Sequence, residues 1–116
     1  MRPLSPTARA RVVRLWPALL VGAAAGLLYA STAAPGLTWA HDGADGGDLI
    51  TAVVTSGVPH PSGYPSYCLL GRLFIALVPG SMARRMNLFS AVLAAGSAAL
   101  VYLSSAWLLA REPNAP

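Results

Sequence analysis

Two apolar runs restrict what this chain can fold into more than any other feature of its sequence. They cover about residues 15–34 and 86–110, and neither contains a charged side chain. A helix of about 20 residues rises ~30 Å, which is the thickness of the hydrocarbon core of a bilayer. Only 10% of the 116 residues are charged, whereas soluble domains carry about 25%. The chain is therefore predicted to be an all-α membrane protein with two transmembrane helices.

These runs divide the chain into five parts. We predict a basic N-terminus, a first span, a loop, a second span and a short tail at residues 1–14, 15–34, 35–85, 86–110 and 111–116. Because arginines precede the first span, the positive-inside rule places both termini in the cytoplasm and the loop outside the cell membrane. A secretory signal peptide is the alternative for the first run, but the apolar region of a signal has only about 7–15 residues. An uncleaved anchor is the favoured interpretation.

The composition also indicates which partners to expect. Alanine and glycine are frequent in both runs, and Gly22 and Gly26 have the small-xxx-small spacing of closely packed membrane helices. Two spans cannot bury a large core of their own, so we expect membrane lipid and further helices around them, from the rest of a larger multi-span protein, a partner subunit or a second copy. The net charge is +4, but the basic segment is short and enters a span directly, which argues against a nucleic-acid partner. Cys68 is single, so no internal disulfide is possible.

The loop at 35–85 holds nearly all of the polar chemistry of the chain. Three of the four acidic residues, Asp42, Asp45 and Asp48, lie near its start, and His60 stands between two prolines. The remaining acid is Glu112, in the tail. Residues that could bind or transform a substrate are therefore concentrated in this loop.

Two short amphipathic or interfacial helices are predicted within the loop. Residues 48–56 have helical apolar spacing, and Gly57 follows them as glycine commonly follows a helix. Prolines and glycine exclude regular structure over residues 58–65. Residues 66–79 are again apolar at helical spacing, but about 14 residues are too few to cross a bilayer.

Several loop residues have two interpretations each. Asp45 and Asp48 suit the first turn of a helix as capping acids, and either carboxylate could also act as a general base. His60 could orient a phosphate or an acceptor, or brace the loop by a hydrogen bond. Arg84 and Arg85 could extend to the membrane interface, or bind a lipid phosphate through the guanidinium fork. Because no spacing typical of a metal site occurs, no metal or other cofactor is predicted.

The stretch GADGGDLITAVVTSGVPHPSGYPSYCLLGRLF resembles the first extracytoplasmic loop of a bacterial family of multi-span membrane proteins. That family is related to an animal protein O-mannosyltransferase and belongs to the GT-C glycosyltransferase superfamily. Its pattern is D-x-G-E, followed after about ten residues by G-V-x-H-P-P-G-Y-P. Here Asp48 replaces the glutamate and Ser62 replaces a proline. The other matching positions are Asp45, Gly47, Gly57, Val58, His60, Pro61, residues 63–65, APGLTW at 34–39, and R-x-N-L-x-S-A at 85–91.

The resemblance implies the N-terminal part of a GT-C-like fold and a membrane glycosyltransferase. Such an enzyme moves a sugar from a polyprenyl-phosphate donor to a hydroxyl acceptor, with the lipid-linked sugar as substrate. The resemblance implies that Asp45 is the catalytic residue, as a base or by positioning the acceptor, and that Asp48 supports it. The residues implied in binding substrate or donor are His60, Tyr64, Arg72 and Arg85.

Family members carry many more spans, so we expect this chain to be an N-terminal piece that is inactive alone. The alternative is a small non-catalytic two-span protein that binds a partner through its helices and loop.

Overall fold

The computed structural model describes residues 6–39 and 45–110, with side chains from residue 15 onward. Over these ranges it contains four helices and no strand. The helices are α1 (Pro6–Thr32), α2 (Asp45–Thr55), α3 (Pro65–Leu77) and α4 (Met82–Leu109). The predicted all-α class is confirmed, since α1 and α4 are each long and apolar enough to cross a membrane and two shorter helices lie between them. Asp42 lies outside the described residues.

One compact unit combines residues 15–31 of α1 with residues 92–109 of α4. The two helices touch through small residues. A Cβ placed on Gly22 would lie 3.2 Å from the Cβ of Ala99, and one on Gly26 would lie 3.5 Å from that of Ala95. Glycine at these positions lets the two backbones approach, as the small-xxx-small spacing predicts. Large side chains of the unit point outward instead, with Leu27 75% exposed.

A second unit comprises residues 32–91 and has a small apolar core. Val53 of α2 and Met86 and Phe89 of α4 are buried at its centre. Five partly buried side chains surround them: Ile50, Tyr67, Cys68, Phe74 and Ile75. The core thus joins α2, α3 and the first turns of α4.

Gly71 lets α3 pass close to this core. It is buried, and a Cβ at this position would lie 2.9 Å from Met86 Cε and 3.2 Å from Val53 Cγ2. On either side of it, the rings of Tyr67 and Phe74 pack on Phe89 with centroids 5.1 and 5.3 Å apart. The missing side chain at Gly71 therefore allows α3 to lay two aromatic rings against α4.

Polar side chains near the start of α4 hold the segment that follows α1. Asn87 Nδ2 donates hydrogen bonds of 2.8 and 3.1 Å to two carbonyls of residues 33–36. Arg84 Nη1 and Ser81 Oγ reach the other two carbonyls, each at 3.4 Å. Carbonyls at and beyond a helix C-terminus lack helical partners, so these donors satisfy them and fix where the loop begins.

Candidate active site in the loop

The end of α2 turns the chain back toward its own first turn. Ser56 adopts a left-handed conformation (φ 61°), and the N–H of Gly57 donates to the carbonyl of Ala52 at 3.0 Å. This is a Schellman motif, with serine rather than Gly57 in the left-handed position. The following residues bring His60 beside Asp48, about two helical turns or ~10 Å before the end of α2. Residues 12 apart in sequence thereby become neighbours.

A tight turn presents the His60 ring. The N–H of Gly63 donates to the carbonyl of His60 at 3.1 Å. Three consecutive residues then have positive φ: 93° at Ser62, 67° at Gly63 and 41° at Tyr64. Proline is confined to φ near −65°, so the conformation at position 62 is one that the proline of the family pattern could not adopt. The serine-bearing turn of this chain therefore has its own backbone geometry.

Asp48 and His60 form the best-defined polar contact of the loop. Asp48 Oδ2 accepts a 2.9 Å hydrogen bond from the His60 backbone N–H and lies 2.8 Å from His60 Nδ1. The backbone hydrogen bond, reinforced by the ring hydrogen bond, lowers the pKa of Asp48 below its ordinary value of 3.8. The positive end of α2 also favours a carboxylate in its first turn. An ionised Asp48 can only accept, which places the shared ring proton on Nδ1.

The opposite edge of the imidazole faces a second carboxylate. His60 Nε2 lies 3.9 Å from Asp45 Oδ2, and the two side chains are 35% and 71% exposed. The ring of Tyr64 packs against that of His60 edge to face, with centroids 5.4 Å apart. Four predicted site residues, Asp45, Asp48, His60 and Tyr64, are thus brought together on one exposed surface, which we call the Asp–His cluster.

Arg72 lies beside a different feature, a groove of about 440 Å³ between α3 and the residues that connect it to α2. Its guanidinium has no hydrogen-bond or carboxylate partner among the described residues, and it is exposed. The rest of the wall is mainly apolar and backbone: Ala52, Ser56, Gly57, Val58, Ser62, Gly63, Pro65, Cys68 and Leu69. The groove shares Ser62 and Gly63 with the turn that carries His60. It therefore adjoins the Asp–His cluster through the loop backbone.

Arg85 points to the other end of α3. Its Nη1 donates a 2.8 Å hydrogen bond to the carbonyl of Ile75, which is about ten residues or ~15 Å along the helix from Pro65. The guanidinium satisfies a carbonyl in the last turn of α3, a role that the sequence pattern did not indicate. Its Nε is buried and has no partner among the described residues. The predicted role of Arg85 in donor binding stays a prediction.

Two further positions with clear structural roles were not identified from the sequence. Asn87 belongs to the R-x-N-L-x-S-A motif, and its side chain holds the carbonyls that follow α1. Tyr67 places its hydroxyl 3.1 Å from Ser90 Oγ and its ring against Phe89. The motif at 85–91 was the only available signal for either contact. Over the described residues, no three histidine, cysteine or acidic side chains are grouped to hold a metal ion.

Fold and site define a helical protein with two candidate membrane spans and a carboxylate–histidine cluster in the loop between them. Residues 45–114 match the family model described as the Protein O-mannosyl-transferase TMEM260 N-terminal domain. The chain belongs to this family, and the resemblance carried by its loop motifs is confirmed.

Two curated relatives support this assignment. Protein O-mannosyl-transferase TMEM260 of Mus musculus is 48% identical over 61 residues, which is 52% of this chain and 9% of the relative. Protein O-mannosyl-transferase tmem260 of Dictyostelium discoideum is 30% identical over 81 residues, or 67% of this chain and 9% of the relative. The chain thus matches about a tenth of each relative's length. No solved structure matches it significantly.

Proposed function

We propose that this chain is the N-terminal part of a membrane glycosyltransferase of the GT-C type. The enzyme moves a mannosyl group from a polyprenyl-phosphate donor to a hydroxyl of an acceptor protein. Family membership supports the reaction class, since the relatives are named protein O-mannosyl-transferases. The observation that carries the proposal is the Asp–His cluster, which sets an exposed carboxylate beside an ordered imidazole at the start of α2.

In this proposal Asp45 is the general base. The acceptor hydroxyl attacks the anomeric carbon of the donor, the bond from that carbon to the phosphate oxygen breaks, and polyprenyl phosphate leaves with the bonding electrons. The hydroxyl proton passes to the Asp45 carboxylate. Asp45 suits this role because it is 71% exposed and can reach a substrate, whereas Asp48 is already engaged by His60. Proton removal by a positioned group contributes about 10²- to 10⁴-fold to a rate.

Arg72 and its groove are the proposed seat of the donor phosphate. Arg72 is the guanidinium that borders the groove, and Leu69 beside it offers apolar surface to the first isoprenoid units. The native Cys68 lines the same groove and provides a probe. Polyprenyl phosphate in micelles should slow maleimide labelling of Cys68, and Arg72→Gln should remove this protection. Equal labelling rates with and without the lipid would contradict the assignment.

The proposal also includes the membrane side on which the loop lies and the need for further helices to complete the site. The loop lies on the outer face of the cell membrane, with the N-terminus of α1 in the cytoplasm. Other helices of the enzyme complete the site, so the chain alone transfers no sugar. Sugar transfer by the purified chain would refute this last point.

The reaction can be tested by grafting the loop onto a relative. Residues 45–109 replace the matching segment of the Mus musculus protein, and mannosyl transfer is measured in membranes. We expect transfer by the wild-type chimera and a loss of about 100-fold or more on Asp45→Asn, with unchanged membrane insertion. The matched control is Thr51→Ala in the same helix, because the Thr51 hydroxyl donates to the Gly47 carbonyl and the substitution removes that backbone contact alone. A chimera that inserts but transfers nothing with Asp45 intact would contradict the proposal.

The rival function is that of a non-catalytic membrane protein whose loop binds a partner. One observation favours it, namely that Arg84 and Arg85 are used to hold backbone carbonyls and not left free for a ligand. Under this alternative, Asp45→Asn leaves transfer by the chimera unchanged. A lower level of folded chimera, with normal transfer per folded molecule, would have the same meaning.

A further inference from the structure

We propose that His60 is a positioning residue that receives, through Asp45, the proton released by the acceptor hydroxyl. This inference rests on the proposed function. It assigns Asp48 a distinct task, which is to hold the His60 ring in one orientation and one tautomer. The three side chains then act as a chain in which Asp45 meets the substrate, His60 takes the proton and Asp48 anchors the ring.

Asp48 anchors His60 through two hydrogen bonds. One oxygen of Asp48 meets the backbone N–H and the ring Nδ1 of His60, at 2.9 and 2.8 Å. A carboxylate that braced only the loop would need the backbone bond alone. The ring bond adds a constraint on the imidazole itself, because a neutral histidine with Nδ1 protonated leaves Nε2 as an acceptor. The contact with Asp48 thereby fixes both the orientation of the ring and the nitrogen that carries its proton.

The unprotonated ring nitrogen of His60 points toward a second carboxylate. Nε2 faces Asp45 Oδ2 at 3.9 Å, which is longer than the about 2.6–3.2 Å of a proton-transferring hydrogen bond. The Asp45 side chain is exposed, and we expect it to rotate toward Nε2 when the substrate is bound, because catalytic hydrogen bonds commonly tighten only then. Among the residues that the structure describes, the groups that face His60 are Asp45 and Asp48 on α2 and Tyr64 at the start of α3. An imidazolium formed there lies between two carboxylates.

The proton balance of the step is complete without a further reactant. The hydroxyl oxygen forms its bond to the anomeric carbon while the carbon–oxygen bond to phosphate breaks, and the phosphate keeps that electron pair. The proton moves from the hydroxyl to Asp45 and from Asp45 to His60 Nε2. Asp45 is again ionised, and the proton leaves His60 to water after the products depart.

The anchor is tested on the full 116-residue chain in detergent micelles by ¹⁵N NMR of its histidine rings. The chain has 2 histidines, so His41→Gln leaves His60 as the single signal. At a pH where the ring is neutral, we expect the Nδ1–H tautomer. Asp48→Ala should shift the ring toward the Nε2–H form, whereas Asp45→Ala, which removes the same charge from the same helix, should preserve Nδ1–H. The measurement on the Asp48-intact chain needs no disruptive variant, and an Nε2–H tautomer there would overturn the proposal.

Proton transfer is tested in the chimera with His60→Asn. The asparagine amide can replace Nδ1–H as a donor to Asp48 but cannot accept a proton. We expect kcat to fall about 100-fold with KM within about twofold, whereas a bracing role alone predicts full rescue by asparagine. Unchanged kcat in His60→Asn, together with a loss in Asp45→Asn, overturns the relay and leaves the proposed function standing. If the wild-type chimera transfers no mannose, the proposed function and the relay are both overturned, whichever His60 tautomer NMR shows.

Discussion

The loop unit at residues 32–91 and the paired long helices at 15–31 and 92–109 are stabilised in different ways. The loop unit buries Val53 and Met86 almost completely. The paired helices turn large apolar side chains outward and touch through glycine and alanine. A core of interlocking side chains is how a chain folds against water. Small-residue contacts beneath outward leucines are how helices associate in lipid, where burying leucine gains little.

The two units also differ in how exactly they position polar side chains. Polar groups in the loop unit have specific partners, as in the contacts of Asn87 and the Asp48–His60 pair. The long helices contribute apolar surface and a length sufficient to cross a membrane. A reactive cluster belongs in the unit with the side-chain core, because only such packing holds groups to within about 0.5 Å. The predictions below address this comparison, beginning with the largest expected effect.

Met86→Ala should destabilise the loop unit without loosening the paired helices. Met86 is 1% exposed and contacts Gly71 across the core, and removing a buried methionine side chain typically costs about 2–5 kcal/mol. Hydrogen–deuterium exchange in micelles should show faster exchange in α2 and α3. The matched control is Met82→Ala in the same helix, because Met82 is 42% exposed. Equal effects of the two variants would contradict a water-type core in the loop unit.

Gly22→Leu should have the converse effect, weakening the contact between α1 and the second half of α4. A side chain there would meet Ala99 Cβ at 3.2 Å, and overpacking of this kind costs about 1–3 kcal/mol. Unfolding by SDS in mixed micelles measures the change. Ala23→Leu is the control, because Ala23 is exposed on the next position of the helix. A stability loss in the control as large as that in Gly22→Leu would contradict a stabilising contact between Gly22 and Ala99.

Acid should release the loop from Asp48. Its pKa is lowered in the folded chain, so the stabilisation is complete above the ordinary value of 3.8 and is lost as the pH falls through the lowered value. The carboxyl ¹³C shift of Asp48 in NMR, followed from about pH 6 to pH 2, should titrate below 3.8. In Asp48→Asn the side-chain carbonyl shift at this position should stay flat. A transition above the ordinary value in the wild type would contradict the hydrogen-bonded carboxylate.

Ser62→Gly should give the smallest effect, a gain in stability. Ser62 has φ 93°, a region that costs a residue with a side chain about 1 kcal/mol or more. Glycine adopts it freely but loses more backbone entropy on folding, so the net gain is expected to stay below about 1 kcal/mol. Ser66→Gly, in the first turn of α3, should instead destabilise. Thermal unfolding of the two variants gives the comparison, and a loss in Ser62→Gly would indicate a different turn.

Local pattern alone predicted much of this molecule. Hydrophobicity and helix-breaking residues are properties of short stretches, so the apolar runs indicated α1 and α4, and the prolines and glycine indicated the bend before α3. Predicted helices at 48–56 and 66–79 correspond to α2 (Asp45–Thr55) and α3 (Pro65–Leu77). The motif spacing was sufficient to identify the family, which the match over residues 45–114 confirms.

Tertiary structure alone decided which side chains meet. The sequence left Asp48 open between a helix cap and a catalytic role, and the folded loop pairs it with His60, 12 residues away. It offered Arg72 and Arg85 as equivalent phosphate ligands, yet one borders an open groove and the other holds the carbonyl of Ile75. Such pairings depend on the path of the whole loop, which is set by distant core contacts such as Gly71 against Met86. Sequence spacing therefore does not predict which of these side chains meet, because their pairing depends on distance in the folded chain.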